Sequence, residues 1–172
     1  MDEFVELLPV DHKRALEFFV SELIDVLDGR IVSRVQLLYN ASVLAHYSQV
    51  STENVLDMPT PRDLRDVLDR FIFENHIPTG DPELLEISGA QTLFVTGFFG
   101  DQMFAGHRYN LRWCNEIWAG FYHKASQCSE SPKKRELLGE IAVSFSYWVG
   151  VYRKLGRALR RNQEDRFLLR LN

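Results

Sequence analysis

Arg112, Glu116 and His123 stand four and then seven residues apart, spacings that bring all three to one side of an α-helix over about three turns. A guanidinium, a carboxylate and an imidazole on one line have the means to hold a polar ligand or to move a proton. Tyr122 adds a phenol beside them, and Phe98 and Trp118 add flat apolar surface. The six together would suit a small apolar or planar ligand whose polar edge faces the ionic trio. A simpler arrangement uses the same residues: Arg112 pairs with Glu116 at i,i+4, His123 completes a polar network, and the aromatic residues fill a core.

Other chemistries find less material. Metal binding would draw on His46, His76, His107, Glu116 and His123, yet neither an HExxH nor an ExxH pair occurs, so no metal site and no cofactor is expected. Cys114 lies among Trp113, Ile117 and Trp118, where burial raises a thiol's pKa and leaves it inert. With Cys128 fourteen residues on, the two cysteines read as reduced thiols of a cytoplasmic protein. No GxSxG elbow, phosphate loop or dinucleotide fingerprint appears. The segment "VLAHYSQVSTENVLDM", residues 43–58, resembles the helix-turn-helix of repressor families, but its recognition half offers no Lys or Arg for phosphate contacts. Nucleic acid is therefore not the expected partner.

A second set of residues points to association. Arg153, Arg157 and Arg160 share one face of the last helix, and Phe167, Leu168 and Leu171 follow them. Residues 1–132 carry ten basic and twenty acidic side chains, whereas 133–172 carry ten basic and four acidic. Either the basic end docks on the acidic body of its own chain or it reaches another chain. The apolar tail residues are costly to leave in water and favour a protein partner or a second copy.

These side chains need helices to position them. Leu16, Phe19, Val20, Leu23 and Leu27 recur at three- and four-residue steps after Asp11, a capping residue, and Gly29 is placed to end that helix. Residues 32–47 are apolar on more than one face, as a helix buried within a bundle is. Thr60, Pro61 and Asp63 open another helix, and Asp81 with Pro82 opens the next. That helix runs into "GAQTLFVTGFFGDQM", residues 89–103, where Gly89, Gly97 and Gly100 sit near Thr92 and Thr96. Each interior glycine costs about 1 kcal/mol against alanine, so close approach of a neighbouring backbone is the expected reason. A further helix follows Gly100–Asp101 and reaches about Ser126. The last, from about Lys134 to Arg161, repeats Ile141, Phe145, Trp148, Tyr152, Leu155 and Leu159. Trp113 is expected in the core with the other aromatic residues.

The run "SGAQTLFVTGFFGDQM" and the aromatic helix ending "NEIWAGFYHKAS" resemble a group of uncharacterised bacterial all-helical proteins. That group has an LFxxGFF core motif followed by a helix with YYxxxGxxAY. The likeness spans roughly the C-terminal half. It departs at Trp113-Cys114, where the pattern has two tyrosines, and at Trp118, where it has glycine. The resemblance implies a bacterial origin and an all-α fold, with no function attached.

The expected architecture is an all-α, single-domain bundle of five or six helices over residues 1–162, with residues 163–172 as a tail. Helix 82–100 is expected to pack centrally against helices 32–50 and 134–161. The longest uncharged run in the C-terminal half, Ile141 to Tyr152, has twelve residues against the ~20 a membrane span needs, and the acidic start is unlike a secretion signal. The expected role is that of a cytoplasmic, non-enzymatic helical interaction or regulatory protein, homodimeric through the last helix and tail. The alternative is a helical bundle, enzymatic or not, that binds a small apolar or planar ligand near Arg112, Glu116 and His123.

Overall fold

A computed structural model of the chain describes residues 12–53, 80–104 and 110–169, with side chains over 13–48, 80–101 and 110–162. The described residues form six helices and no strand: α1 His12–Leu27, α2 Arg34–Glu53, α3 Pro82–Phe104, α4 Leu111–Cys128, α5 Pro132–Val143 and α6 Phe145–Leu169. The all-α expectation holds. The chain divides into two compact units, Met1–Met58 and Pro59–Asn172. The expected capping of the first helix by Asp11 and the expected helix from Thr60 lie outside the described residues.

In the first unit α1 pairs with α2. Phe19, Leu23 and Leu27, one turn apart, are buried, the narrow stripe of a one-faced helix. Asp28 and Gly29 then take positive φ of 48° and 75°, and Arg30 N–H returns to Leu27 O at 3.0 Å. Gly29 thus ends α1 as expected, and Asp28 joins it in the left-handed region, which a short polar side chain tolerates. Ser33 opens α2: its Oγ accepts from Gln36 N–H at 3.2 Å. Tyr39, Asn40, Ala41, Val43, Leu44, Ala45 and Tyr47 are all buried, so α2 is enclosed on several sides. It also continues through Gln49 to Glu53, where a helix-turn-helix would need its turn.

In the second unit α3 packs against both α4 and α6. Asp81 caps it as expected, with Oδ1 accepting from Glu83 N–H at 2.9 Å and Pro82 as its first residue. The glycines mark seams. A Cβ on Gly89 would lie 2.9 Å from Tyr122 Cδ2 of α4, and one on Gly97 would collide with Tyr152 Cβ of α6. Phe98 answers from the other side, its ring 3.1 Å from the position of a Cβ on Gly156. Gly97 meets Tyr152, Gly100 meets Arg153 and Asp101 meets Arg157, so α3 and α6 run in the same direction along the seam.

Two element boundaries differ from expectation. First, α3 does not stop at Gly100–Asp101 but continues to Phe104. The glycine there is spent on the approach of α6, and α4 starts later, where Asn110 Oδ1 accepts from Arg112 N–H at 2.9 Å. Second, the expected single helix 134–161 is two helices. Ser131 and Pro132 open α5, and Ser144 (φ −98°, ψ 15°) separates it from α6. The Ser144 hydroxyl donates to Glu140 O at 2.7 Å. Backbone bonds from Ser144 N–H to Glu140 O and from Trp148 N–H to Ser144 O, both 3.0 Å, bridge the joint.

The second unit's core gathers Trp118, Tyr122, Leu138, Ile141, Phe145, Trp148, Tyr152 and Leu155, each nearly devoid of solvent contact. Trp113 is a correction: placed 500° along the helix from Trp118, it faces outward and is 40% exposed. Polar ties close the frame. Lys134 Nζ of α5 sits 2.7 Å from Glu86 Oε2 of α3. Ser126 Oγ donates to Arg135 O at 2.6 Å, and the Arg135 guanidinium donates to Ser129 O. Among the described residues, no helix is long and apolar enough to cross a membrane.

Candidate functional site

The ionic trio stands on the exposed face of α4. Arg112 Nε lies 3.5 Å from Glu116 Oε1, with the two side chains 85% and 65% exposed; i,i+4 pairs of this kind are worth about 0.3–0.5 kcal/mol. His123, two turns on from Glu116, is also exposed, and its Nε2 lies 3.1 Å from Gln127 Nε2. Arg112 and Glu116 are therefore brought together, while His123 is engaged with its own next turn.

The aromatic half of the candidate set is elsewhere. Trp118 and Tyr122 lie on the opposite face of α4, buried in the core, because residues 116 and 118 are about 200° apart around a helix. Tyr122 covers Gly89 of α3. Phe98 belongs to the α3–α6 seam: its ring stacks on Phe94 at 4.8 Å and meets Tyr152 edge-on at 6.1 Å. The six residues thus divide between water, the core and a helix seam, and do not line one cavity.

Cys114 is buried, and burial pushes its thiol above the ordinary value, which suppresses the thiolate a nucleophile needs. Cys128 is likewise a free thiol. Among the described residues no three His, Cys, Asp or Glu side chains gather as a metal site. His46 is exposed on α2, and His76 and His107 lie outside the described residues.

The basic line on α6 has a partner that its own spacing did not reveal. Arg153 Nε lies 3.7 Å from Asp101 Oδ1 and Arg157 Nη2 lies 3.4 Å from Asp101 Oδ2. Arg160 Nε donates to Gly156 O at 3.2 Å. At Asp101, then, the basic helix docks on an acidic residue of its own chain. Phe167 and Leu168 fall in the last turns of α6, where side chains are not described, and Leu171 lies outside the described residues.

Three buried groups in the second unit were not foreseen. Thr92 Oγ1 bonds to Ser88 O at 3.0 Å and Gly89 O at 2.9 Å, but the Thr96 hydroxyl, one turn on, is buried without a hydrogen-bond partner. Asn115 Nδ2 donates to Ser146 Oγ at 3.4 Å while its Oδ1 has no partner. Arg153 Nε and Nη2 are buried with no hydrogen bond. Only the small-residue line through Thr96, Gly97 and Gly100 hinted at a crowded seam here, and it carried no sign of charge. No protein-family model, no curated protein and no solved structure matches the chain.

Proposed function

We propose that the protein is a non-enzymatic helical interaction or regulatory protein that acts by burying surface against a protein partner, a second copy of itself included. The observation that supports this reading is the apolar surface left in water around the α1–α2 turn. Ile24 is 53% exposed, Ile31 fully exposed, Val35 54% and Leu38 38%, four large aliphatic residues within fifteen positions of chain. Fully burying one such side chain is worth about 1.5–3 kcal/mol, and grouped exposure of this kind marks association surfaces. The ligand reading lacks comparable support, since its six residues point to three different surroundings.

Light scattering on the full chain against Ile31→Asp/Val35→Asp tests the proposal. If the turn is the association surface, the variant loses mass relative to the parent or loses a defined partner while keeping its helical circular dichroism. A parent that is monomeric at all concentrations, with the same solubility and the same partners as the variant, removes the reading. Deleting residues 163–172 in a second sample tests whether Phe167, Leu168 and Leu171 contribute to a dimer. A dimer unaffected by that deletion assigns the surface to the α1–α2 turn alone.

A further inference from the structure

Two arginines of α6 converge on one carboxylate at the end of the α3–α6 seam. The distances from Asp101 to Arg153 and Arg157, 3.7 and 3.4 Å, are long beside the roughly 2.7–2.9 Å of a charge-assisted hydrogen bond. Asp101 is therefore shared loosely between them, and two guanidinium groups against one carboxylate leave an excess positive charge.

Arg153 is built into this position. A Cβ on Gly100 would lie 3.3 Å from Arg153 Nη2, so the guanidinium lies against the backbone of α3 where a glycine leaves it room. Its Nε and Nη2 are buried and make no hydrogen bond, and the hydroxyl of fully buried Thr96, one turn back, makes none. Thr96 Cγ2 and Arg153 Nη2 flank the same point above Gly100. Nε keeps only the long ion pair to Asp101, the side chain as a whole being a quarter exposed, and a buried charged donor without a hydrogen bond is costly. An aliphatic residue at position 153 would fill the seam without that cost, so the charge itself has a use. The outer edge is open: the Arg157 and Asp101 side chains are 56% and 66% exposed.

We propose that Arg153 and Arg157 form a recognition site for a single oxyanion group, phosphate or carboxylate, in which Asp101 is the resident counter-ion. An arriving oxyanion takes the guanidinium donors that Asp101 holds loosely, and the Asp101 side chain swings into water. Planar guanidinium forks match both oxyanion types, so the geometry selects the group and not the molecule that carries it. This site lies in the second unit and does not depend on the association reading above.

The full chain is titrated with inorganic phosphate at an ionic strength held constant with sodium chloride, and the arginine side-chain Nε–H signals are followed by NMR. Saturable shifts of two arginine signals are expected. Arg157→Gln, at a half-exposed position where the fold is retained, should weaken binding by about tenfold, the loss of one charged contact. Asp101→Asn should tighten it by a similar factor, since the competing carboxylate is gone. A repeat with acetate separates the two sources: saturation by either anion supports the site. A response to both anions no different from that to chloride, or an Asp101→Asn variant that binds no tighter than the parent, overturns it.

Discussion

Tyr152 Cβ leaves no room for a side chain at position 97, and that atom is fixed to its backbone and cannot rotate away. Gly97→Ala should therefore destabilise the protein by about 1–3 kcal/mol in denaturant unfolding, even though alanine is favoured by about 1 kcal/mol in a helix interior. Gly120 and Gly150 have nothing within 4 Å of a built Cβ. Alanine at either should raise stability by up to about 1 kcal/mol, which isolates the steric effect at Gly97. Thr96→Val removes a buried hydroxyl without a partner and should be neutral or stabilising by about 1 kcal/mol; a clear loss in the same assay would mean that the hydroxyl is used. Cys114 gives a pH signature. Its thiol is raised by burial, so the folded state holds the proton after the unfolded state has begun to release it. Below the ordinary thiol pKa of about 8.5 both states are protonated and stability is unaffected. Above it, stability falls as pH rises toward the folded value. Unfolding midpoints of the parent should drop relative to Cys114→Ala as pH rises above about 8.5, and parallel curves would contradict the burial.

At the scale of the helix, the sequence was legible where one residue type has one reason to be present. Gly29 ends α1, Asp81 and Pro82 open α3, and Gly89 and Gly97 seat aromatic rings; the seam and the all-α class follow from those positions. The break at Ser144 was hidden because Ile141, Phe145 and Trp148 keep an unbroken apolar period across it. Gly100 misled for the opposite reason, since a glycine beside an aspartate is written identically whether it ends a helix or admits a neighbour. The candidate site was less legible still. Periodicity grouped Arg112, Glu116 and His123 correctly on one face, but it could not say that Tyr122 and Trp118, on neighbouring positions of the same helix, would turn inward. Asp101 was missed because its partners are more than fifty residues away. Caps remain the cheapest test of these boundaries: Ser131→Ala should cost about 1 kcal/mol in thermal unfolding, because Ser131 Oγ accepts from Lys134 N–H.

For the molecule as a whole, the split between an acidic first part and a basic last forty residues is partly an internal matter. Lys134 meets Glu86, and Arg153 and Arg157 meet Asp101, each pair joining acidic α3 to the basic segment. The Lys134–Glu86 pair is the closest at 2.7 Å, with Glu86 only 16% exposed, so it should be screened less than the others. Glu86→Gln should lower stability by about 1 kcal/mol. In about 1 M salt, where the screening length falls to roughly 3 Å, the gap between parent and variant should narrow. An unchanged gap would assign the loss to packing.

The place where α3 ends carries a last consequence. Aligned peptide dipoles leave a partial negative charge at a helix's C-terminal end, about half an electron, and the end of α3 lies against the middle of α6, which runs on past Arg157 to Leu169. The last turn of α3 contains no cation of its own. Arg153 and Arg157 reach Asp101, one turn short of that terminus, from the neighbouring helix, and so bring positive charge to the last turn of α3 from a helix interior.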